Sequence, residues 1–231
     1  DTEVKPYVLL IVDTSGSMGS STNAGVASCA GSTSSKLDHA KCAIQRVAYS
    51  YAEMILGLGI YRQAPTGNGN QTCGNAPNTQ SCPSKNVVCN ANGNLGDSLD
   101  VLVPLYDGNT GGIVSFNNMS CGGGCTNGAS DPEIIASGNT PIGGSLAGAK
   151  RYYQGLDSPT YGPYATGLGA DPIRNDPLKD VFVSGEQCRP YIVIQLTDGA
   201  ETCSGNAPTE ATALLTTVVD GLTYRIETRA I

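Results

Sequence analysis

The sequence has no tryptophan, two phenylalanines and a single histidine, His39. Charged residues are also scarce, at 14% of the chain, and basic ones are the scarcer kind: 13 Lys and Arg against 20 Asp and Glu give a net charge of −7. Because nucleic-acid binding depends on basic side chains that face phosphates, we expect no nucleic-acid partner. No apolar run approaches the roughly 20 residues that span a bilayer, so we also expect no transmembrane segment in this chain.

Cysteine, in contrast, is abundant, with nine residues in 231. So many are rare in a reducing cytosol and typical of exported proteins with disulfides, which predicts an extracellular or cell-surface location. Cys29 and Cys42 flank the start of a predicted helix and could pair, whereas the other pairings stay open. Zinc is a rival use for Cys121 and Cys125, although no second Cys or His pair has a similar spacing.

Hydrophobic patterning predicts alternating strands and helices. Two continuous apolar runs, Tyr7 to Val12 and Tyr191 to Leu196, are typical of strands buried on both faces of a parallel sheet. Further strands are expected at 55–61, 99–105 and 222–231, and helices at 35–54, 111–117, 142–154 and 208–220. Pro104 would suit an edge strand or its end. The alternation predicts one α/β domain over residues 1–231, a doubly wound, mostly parallel sheet with helices on both faces.

Three stretches do not fit a compact α/β core. They span about 63–97, 119–137 and 158–187, and they are rich in Gly, Asn, Pro or Thr. The first two hold five of the cysteines: Cys73, Cys82, Cys89, Cys121 and Cys125. We therefore expect disulfide-rich loop insertions in an otherwise regular domain.

Oxygen-bearing side chains follow the two buried strands. Asp13 directly follows the first and opens the segment Asp13-Thr14-Ser15-Gly16-Ser17, where alternate residues of a tight turn can direct one carboxylate and two hydroxyls to one point. Asp198 follows the other buried strand, so two carboxylates could face one cation at the carboxyl edge of the sheet. Ligands that are all oxygen suit Mg²⁺, Ca²⁺ or Mn²⁺ rather than zinc.

This segment resembles the metal-ion-dependent adhesion site (MIDAS) of von Willebrand factor type A (vWA) domains. The sequence GNTPIGGSL from Gly138 to Leu146 resembles the threonine loop of that family, and LTDG from Leu196 to Gly199 resembles its aspartate loop. The three loops occur in the family's order. The resemblance covers the chain from about Val4 to Ile231, apart from the insertions, and it implies a vWA fold, which is Rossmann-like.

The resemblance also implies a role for five residues. Ser15, Ser17 and Thr140 would contact the cation directly, and Asp13 and Asp198 would hold it mostly through water. In the family, the open coordination position takes a carboxylate from a partner. We therefore expect a divalent cation, with Mg²⁺ ahead of Ca²⁺ or Mn²⁺, and a protein or surface partner that offers an Asp or Glu carboxylate.

The low charge and the disulfide-rich loops are similar to bacterial surface adhesins of the pilus-tip and gliding-motility types. The prediction is thus an extracellular adhesion domain on the bacterial outer surface, with no enzymatic activity. The alternative is a structural assembly module in which the metal is architectural. The final helix, strand and helix of the family are missing here, so either the segment was cut short or the remainder comes from elsewhere. An anchor or further domains could lie outside it.

Catalytic roles find little support in the sequence. A Ser or Cys nucleophile needs a base, and His39 is expected on a solvated helix flank. Glu201 is the one nearby candidate base for an enzyme that uses the cation to activate water. Gly138 to Ser145 superficially resembles a phosphate-binding loop but lacks its lysine.

Overall fold

The computed structural model describes residues 5–51, 53–61, 98–106, 108–117, 134, 136, 138–156, 189–203 and 205–231. The insertions expected at about 63–97, 119–137 and 158–187 lie outside the described residues, apart from Ile134 and Ala136. In the part that is described, the elements follow in chain order: β1 (Tyr7–Val12), a 3₁₀ helix (Gly16–Gly19), α1 (Lys36–Ser50), β2 (Ile55–Tyr61), β3 (Leu99–Val103), α2 (Thr110–Ser115), α3 (Ile142–Tyr153), β4 (Tyr191–Leu196), α4 (Ala207–Leu214), β5 (Thr217–Val219), β6 (Leu222–Tyr224) and β7 (Ile226–Ala230). Over these residues, no helix combines the length and apolarity that crossing a bilayer requires.

A five-stranded sheet organises the fold, with the strand order β3-β2-β1-β4-β7. β1 is central and runs parallel to β2 and β4, and β7 runs parallel to β4. β3 pairs with β2 in the antiparallel direction. Pro104 follows β3 directly, as expected for an outer strand of this sheet, because proline cannot donate to a strand ladder. The predicted α/β class with a mostly parallel sheet is confirmed.

The two faces of the sheet are buried by different helices. Tyr7, Leu9 and Ile11 belong to a core cluster with residues of α3 and α4, such as Leu146 and Leu214. The alternate residues of β1 are Val8, Leu10 and Val12, and they belong to a second cluster with residues of α1 and α2, such as Ile44 and Ile113. Because helices cover both faces, β1 has no solvent-facing side, and this explains its unbroken apolar sequence.

Local interactions fix the start of α1. The Ser35 hydroxyl accepts a hydrogen bond from the Asp38 N–H at 3.1 Å, which satisfies one of the free donors of the first turn. A disulfide joins Cys29 to Cys42, with their Cα atoms 5.6 Å apart. The expected pairing of these two cysteines is confirmed. α1 ends at Ser50, four residues earlier than the apolar spacing predicted.

The chain after α4 differs from expectation. The helix predicted over 208–220 ends at Leu214, and β5 and β6 form an antiparallel hairpin instead. Asp220 and Gly221 make its two-residue turn with φ values of 48° and 81°, a conformation that Asp-Gly favours in tight hairpins. The strand predicted over 222–231 is accordingly divided, and β7 begins at Ile226. The apolar residues before Asp220 also fit a helical spacing, so the Asp-Gly turn was not predicted.

Glycine lets the start of α3 approach the segment before α4. A Cβ on the buried Gly143 would lie 2.8 Å from the Asn206 backbone nitrogen and 3.1 Å from Gly205 backbone atoms. Backbone atoms cannot rotate away from such a clash. The close packing of these two elements therefore requires glycine at this position.

We predict that Gly143→Ala destabilises the protein by about 1–3 kcal/mol, because the added methyl overpacks a backbone contact. Gly111→Ala is the matched control, since it also adds a methyl to a helix but finds nothing within 4 Å. The control should be neutral or up to about 1 kcal/mol more stable than the original chain. Urea unfolding with the disulfides intact measures both. Equal stability of the two variants would contradict this packing.

Candidate metal centre

The pairing of β1 with β4 brings two of the predicted loops together. Their register aligns Val12 with Leu196, so Asp13 and Thr197 leave the sheet side by side. The Asp13 N–H donates to the Leu196 carbonyl at 2.8 Å, and the Thr197 hydroxyl donates to Asp13 Oδ2 at 2.7 Å. The carboxyl edge of the sheet therefore presents both loops at one level.

Asp13 is fully buried and held at both carboxylate oxygens. The Ser15 N–H donates to Oδ1 at 2.7 Å, which closes a local turn that Asp commonly forms. The Thr197 hydroxyl donates to Oδ2. Within the described residues, no basic side chain forms an ion pair with Asp13. A buried carboxylate is costly unless a positive charge or hydrogen bonds compensate it, and the compensation seen in the described part of the chain consists of hydrogen bonds.

Hydroxyl groups connect Asp13's turn to the aspartate loop. The Ser15 and Ser17 hydroxyl oxygens lie 2.9 Å apart, and the Ser17 hydroxyl donates to Asp198 Oδ1 at 2.8 Å. Ser15 is buried, whereas Ser17 is exposed. These contacts form a continuous polar chain between segments that are 181 positions apart in sequence.

The threonine loop contacts both of the others. The Gly16 N–H donates to the Gly138 carbonyl at 3.0 Å, and Thr140 exchanges two hydrogen bonds with Thr202. The buried Thr140 hydroxyl oxygen would lie 3.9 Å from a Cβ atom placed on Gly199, so it is close to the aspartate loop. The five residues predicted as ligands, Asp13, Ser15, Ser17, Thr140 and Asp198, thus lie on three loops that touch one another.

A lysine that the sequence reasoning missed also lies here. Lys36 Nζ is 2.6 Å from Asp198 Oδ2. Partial burial by itself raises the pKa of Asp198, but the Lys36 and Ser17 hydrogen bonds and the Lys36 charge outweigh it, so the pKa lies below its ordinary value. A lysine directly after a helix N-cap was the available signal, because a cation is unfavourable there without a nearby carboxylate.

Tyr61 is a second residue that the sequence did not single out. It ends β2 and is fully buried, and its hydroxyl completes no hydrogen bond of normal geometry in the described part of the chain, although Thr197 lies near it. Burial raises the pKa of the phenol well above its usual range, and the nearby Asp13 charge adds to the effect. Tyr61 is therefore a neutral phenol with an uncompensated polar atom, of the kind that bound water commonly satisfies.

Glu201, the candidate base, is occupied by backbone donors. The Gly143 N–H donates to Oε2 at 2.6 Å, and the Cys203 N–H donates to Oε1 at 2.9 Å. An anionic group at the start of α3 is stabilised by the unpaired N–H groups and dipole of the helix. Glu201 thus clamps the aspartate loop onto α3, a structural role.

His39 connects α1 to the loop that precedes it. Its Nε2 lies 2.9 Å from the Gly25 carbonyl oxygen and 3.3 Å from the Thr22 hydroxyl. The expectation of a solvated side chain is therefore only partly right, since His39 is half-buried and bonded. The same loop is closed by the Cys29–Cys42 disulfide, which stabilises it next to the 3₁₀ helix.

The donors at this edge suit a hard cation. They are two carboxylates and three hydroxyls, all oxygen, as Mg²⁺, Ca²⁺ and Mn²⁺ prefer. Among the described residues, the buried Asp13 has no basic partner and the Tyr61 hydroxyl completes no hydrogen bond of normal geometry, and both fit a hydrated cation beside them. No cluster of three or more His, Cys, Asp or Glu side chains that could hold a metal occurs among the described residues. Cys121 and Cys125, the alternative zinc pair, lie outside those residues.

Comparison with models of known protein families gave no match, and comparison with curated proteins gave none either.

We predict that Glu201→Gln destabilises the protein by about 1–3 kcal/mol, because the amide cannot replace the carboxylate at two backbone donors. Glu53→Gln, at an exposed position after α1, is the control for the loss of one charge and should change stability by less than about 0.5 kcal/mol. Urea unfolding compares the two variants. If Glu201→Gln matches its control, the clamp does not contribute as described.

Proposed function

We propose that this chain is an extracellular adhesion domain that holds a divalent cation at Asp13, Ser15, Ser17, Thr140 and Asp198. Through that cation it binds an Asp or Glu carboxylate of a partner protein or surface. Mg²⁺ is the foremost candidate, and Ca²⁺ or Mn²⁺ are the alternatives. The fold proposed with this function is the doubly wound vWA type.

The contact between the three loops carries the proposal. The sequence marked each loop separately, and the Ser15–Ser17–Asp198 hydrogen bonds join two of them across 181 positions. Ordinary turn residues have no need to converge in this way. Their convergence on one sheet edge is what a shared ligand would require.

Charge supports a cation at this edge. Asp13 is buried without a basic partner in the described chain, and its hydrogen bonds from Ser15 and Thr197 fix where its negative charge lies. The proposed direct ligands are hydroxyls, which carry no charge, and the two carboxylates would act mostly through water. The cation would therefore stay electrophilic and attract an incoming carboxylate to its open coordination position.

Exposure supports an outside ligand over an architectural metal. Gly16, Ser17 and Gly199 are all exposed, and each belongs to a loop that meets at the proposed cation position. A partner could therefore approach from solvent. A purely architectural cation would favour loops that cover the ion completely.

The proposed extracellular location is supported by the disulfide. Cys29–Cys42 closes the loop that follows the 3₁₀ helix, and such bonds persist in oxidising compartments. The bacterial outer surface follows only from the resemblance to surface adhesins.

We predict that Asp13→Ala combined with Ser15→Ala weakens Mg²⁺ binding at least about tenfold, because it removes one carboxylate and one hydroxyl from the donor set. Isothermal titration with MgCl₂ and with MnCl₂ measures the affinity. Retention on carboxylate-coated beads, with Mg²⁺ or with a chelator, tests the adhesive step. Beads coated with hydroxyl groups serve as the surface control.

The matched variant is Ser50→Ala combined with Glu53→Ala, which removes the same two group types from exposed positions at the far end of α1. It should bind Mg²⁺ and the beads like the original chain. Because Asp13 is buried, Ser17→Ala at an exposed position provides a second test that is less prone to misfolding. The proposal fails if the Asp13/Ser15 double variant is folded and binds both metal and beads unchanged.

A further inference from the structure

We propose that Lys36 is a built-in competitor of the divalent cation. Its ammonium neutralises Asp198 while the metal is absent and leaves that carboxylate when the metal binds. The inference rests on the proposed function, since it takes Asp13 and Asp198 as the charged part of the cation site.

Both oxygens of Asp198 are occupied by groups of this chain. Lys36 Nζ lies 2.6 Å from Oδ2, and the Ser17 hydroxyl donates to Oδ1 at 2.8 Å. The Asp198 side chain is only 10% exposed, so solvent offers little competition for these contacts. A cation that uses this carboxylate, directly or through water, must therefore disturb an existing bond.

The two donors on Asp198 differ in what they can offer a metal. The Ser17 hydroxyl has lone pairs, so it can keep its hydrogen bond to Asp198 and still present its oxygen to a cation. The Lys36 ammonium has only donors and no lone pair. It cannot be a ligand, and its charge repels a metal ion. Of the two groups, Lys36 is the one that has to move.

The backbone around Lys36 is fixed, whereas its side chain is partly exposed. Lys36 is the first residue of α1, and its N–H donates to the Ser20 carbonyl at 3.0 Å. Ser35 caps the helix directly before it. The Lys36 side chain is 36% exposed, so the flexible stem can swing into solvent. A cation at a helix N-terminus is otherwise unfavourable, which makes the Asp198 contact the compensation for this position.

Charge counting gives the direction of the effect. Asp13 and Asp198 contribute −2, and Lys36 reduces the local total to −1. Among the described residues, Glu201 is a further carboxylate near the site, and its oxygens accept the Gly143 and Cys203 N–H groups. Removing the Lys36 charge leaves a more negative site with a free Asp198 oxygen. Both changes favour a divalent cation.

The test is isothermal titration of the full, disulfide-intact chain with MgCl₂ at constant ionic strength. We expect Lys36→Met to lower the Mg²⁺ dissociation constant about three- to tenfold, the range that the loss of one partly exposed ion pair and its repulsion of the metal allows. Lys36→Arg keeps the charge and should bind Mg²⁺ no more tightly than the original chain. Lys150→Met, in the last turn of α3 and about 12 Å along that helix from its first residue, is the control for net charge and should stay within about twofold.

The direction in which Lys36→Met changes the Mg²⁺ affinity distinguishes a lysine that competes with the metal from one that stabilises the site. If Lys36 only stabilises the loops around the site, Lys36→Met weakens Mg²⁺ binding, and that result overturns the proposal, as does an unchanged affinity. If the Asp13/Ser15 double variant loses Mg²⁺ binding while Lys36→Met changes nothing, the competitor role fails and the proposed cation site stands. If neither the original chain nor Lys36→Met binds Mg²⁺, both fail.

Discussion

The parallel pairing of β1 with β4 is the contact on which the candidate site depends. Six residue pairs align without a shift, from Tyr7 with Tyr191 to Val12 with Leu196. Both strands therefore end at the same level, and the next residues, Asp13 and Thr197, meet through a hydrogen bond. A slip of one residue would turn every side chain of β1 to the opposite face and separate these loops. The two core clusters oppose such a slip, because each accepts alternate residues of β1.

Above this edge, the polar groups are arranged as a network with unequal charge compensation. Asp198 forms an ion pair with Lys36, whereas the buried Asp13 has hydrogen bonds alone within the described chain. Glu201 is held by two backbone donors on the α3 side. Three carboxylates near one another thus have three different environments. Because of this difference, we propose that Asp13 and Asp198 bind the cation and that Glu201 has a structural role.

The sequence predicted much of this arrangement because its main signals are local. The bounds of β1, β2 and β4 follow from apolar runs. β1 and β2 are buried on both faces as expected, whereas β4 alternates buried with half-buried residues. The contact of the loop that begins at Asp13 with the aspartate loop follows from the rule that neighbouring parallel strands end at one edge. The hairpin at Asp220 and Gly221 escaped prediction because apolar residues before it also fit a helical spacing.

The contacts of Lys36 and Tyr61 could not be predicted in the same way. The Lys36–Asp198 ion pair joins residues 162 positions apart. A lysine directly after an N-cap indicates that a carboxylate is needed nearby, but no local pattern identifies Asp198 as that partner. Tyr61 reads as one more apolar strand residue until the fold puts its hydroxyl near Asp13 and Thr197. Distant polar contacts depend on the packed structure, so the sequence predicted the loops of the site but not the residues that surround them.

A crystal structure of the chain grown with Mn²⁺ tests the central claim most directly, because anomalous scattering locates the ion without reference to any assumed ligand. The account predicts one Mn²⁺ in direct contact with the hydroxyl oxygens of Ser15, Ser17 and Thr140. Asp13 and Asp198 should hold it mostly through water, and Lys36 should be turned away from Asp198. A crystal saturated with Mn²⁺ in which the Lys36–Asp198 contact is intact and no ion lies at these loops would contradict it.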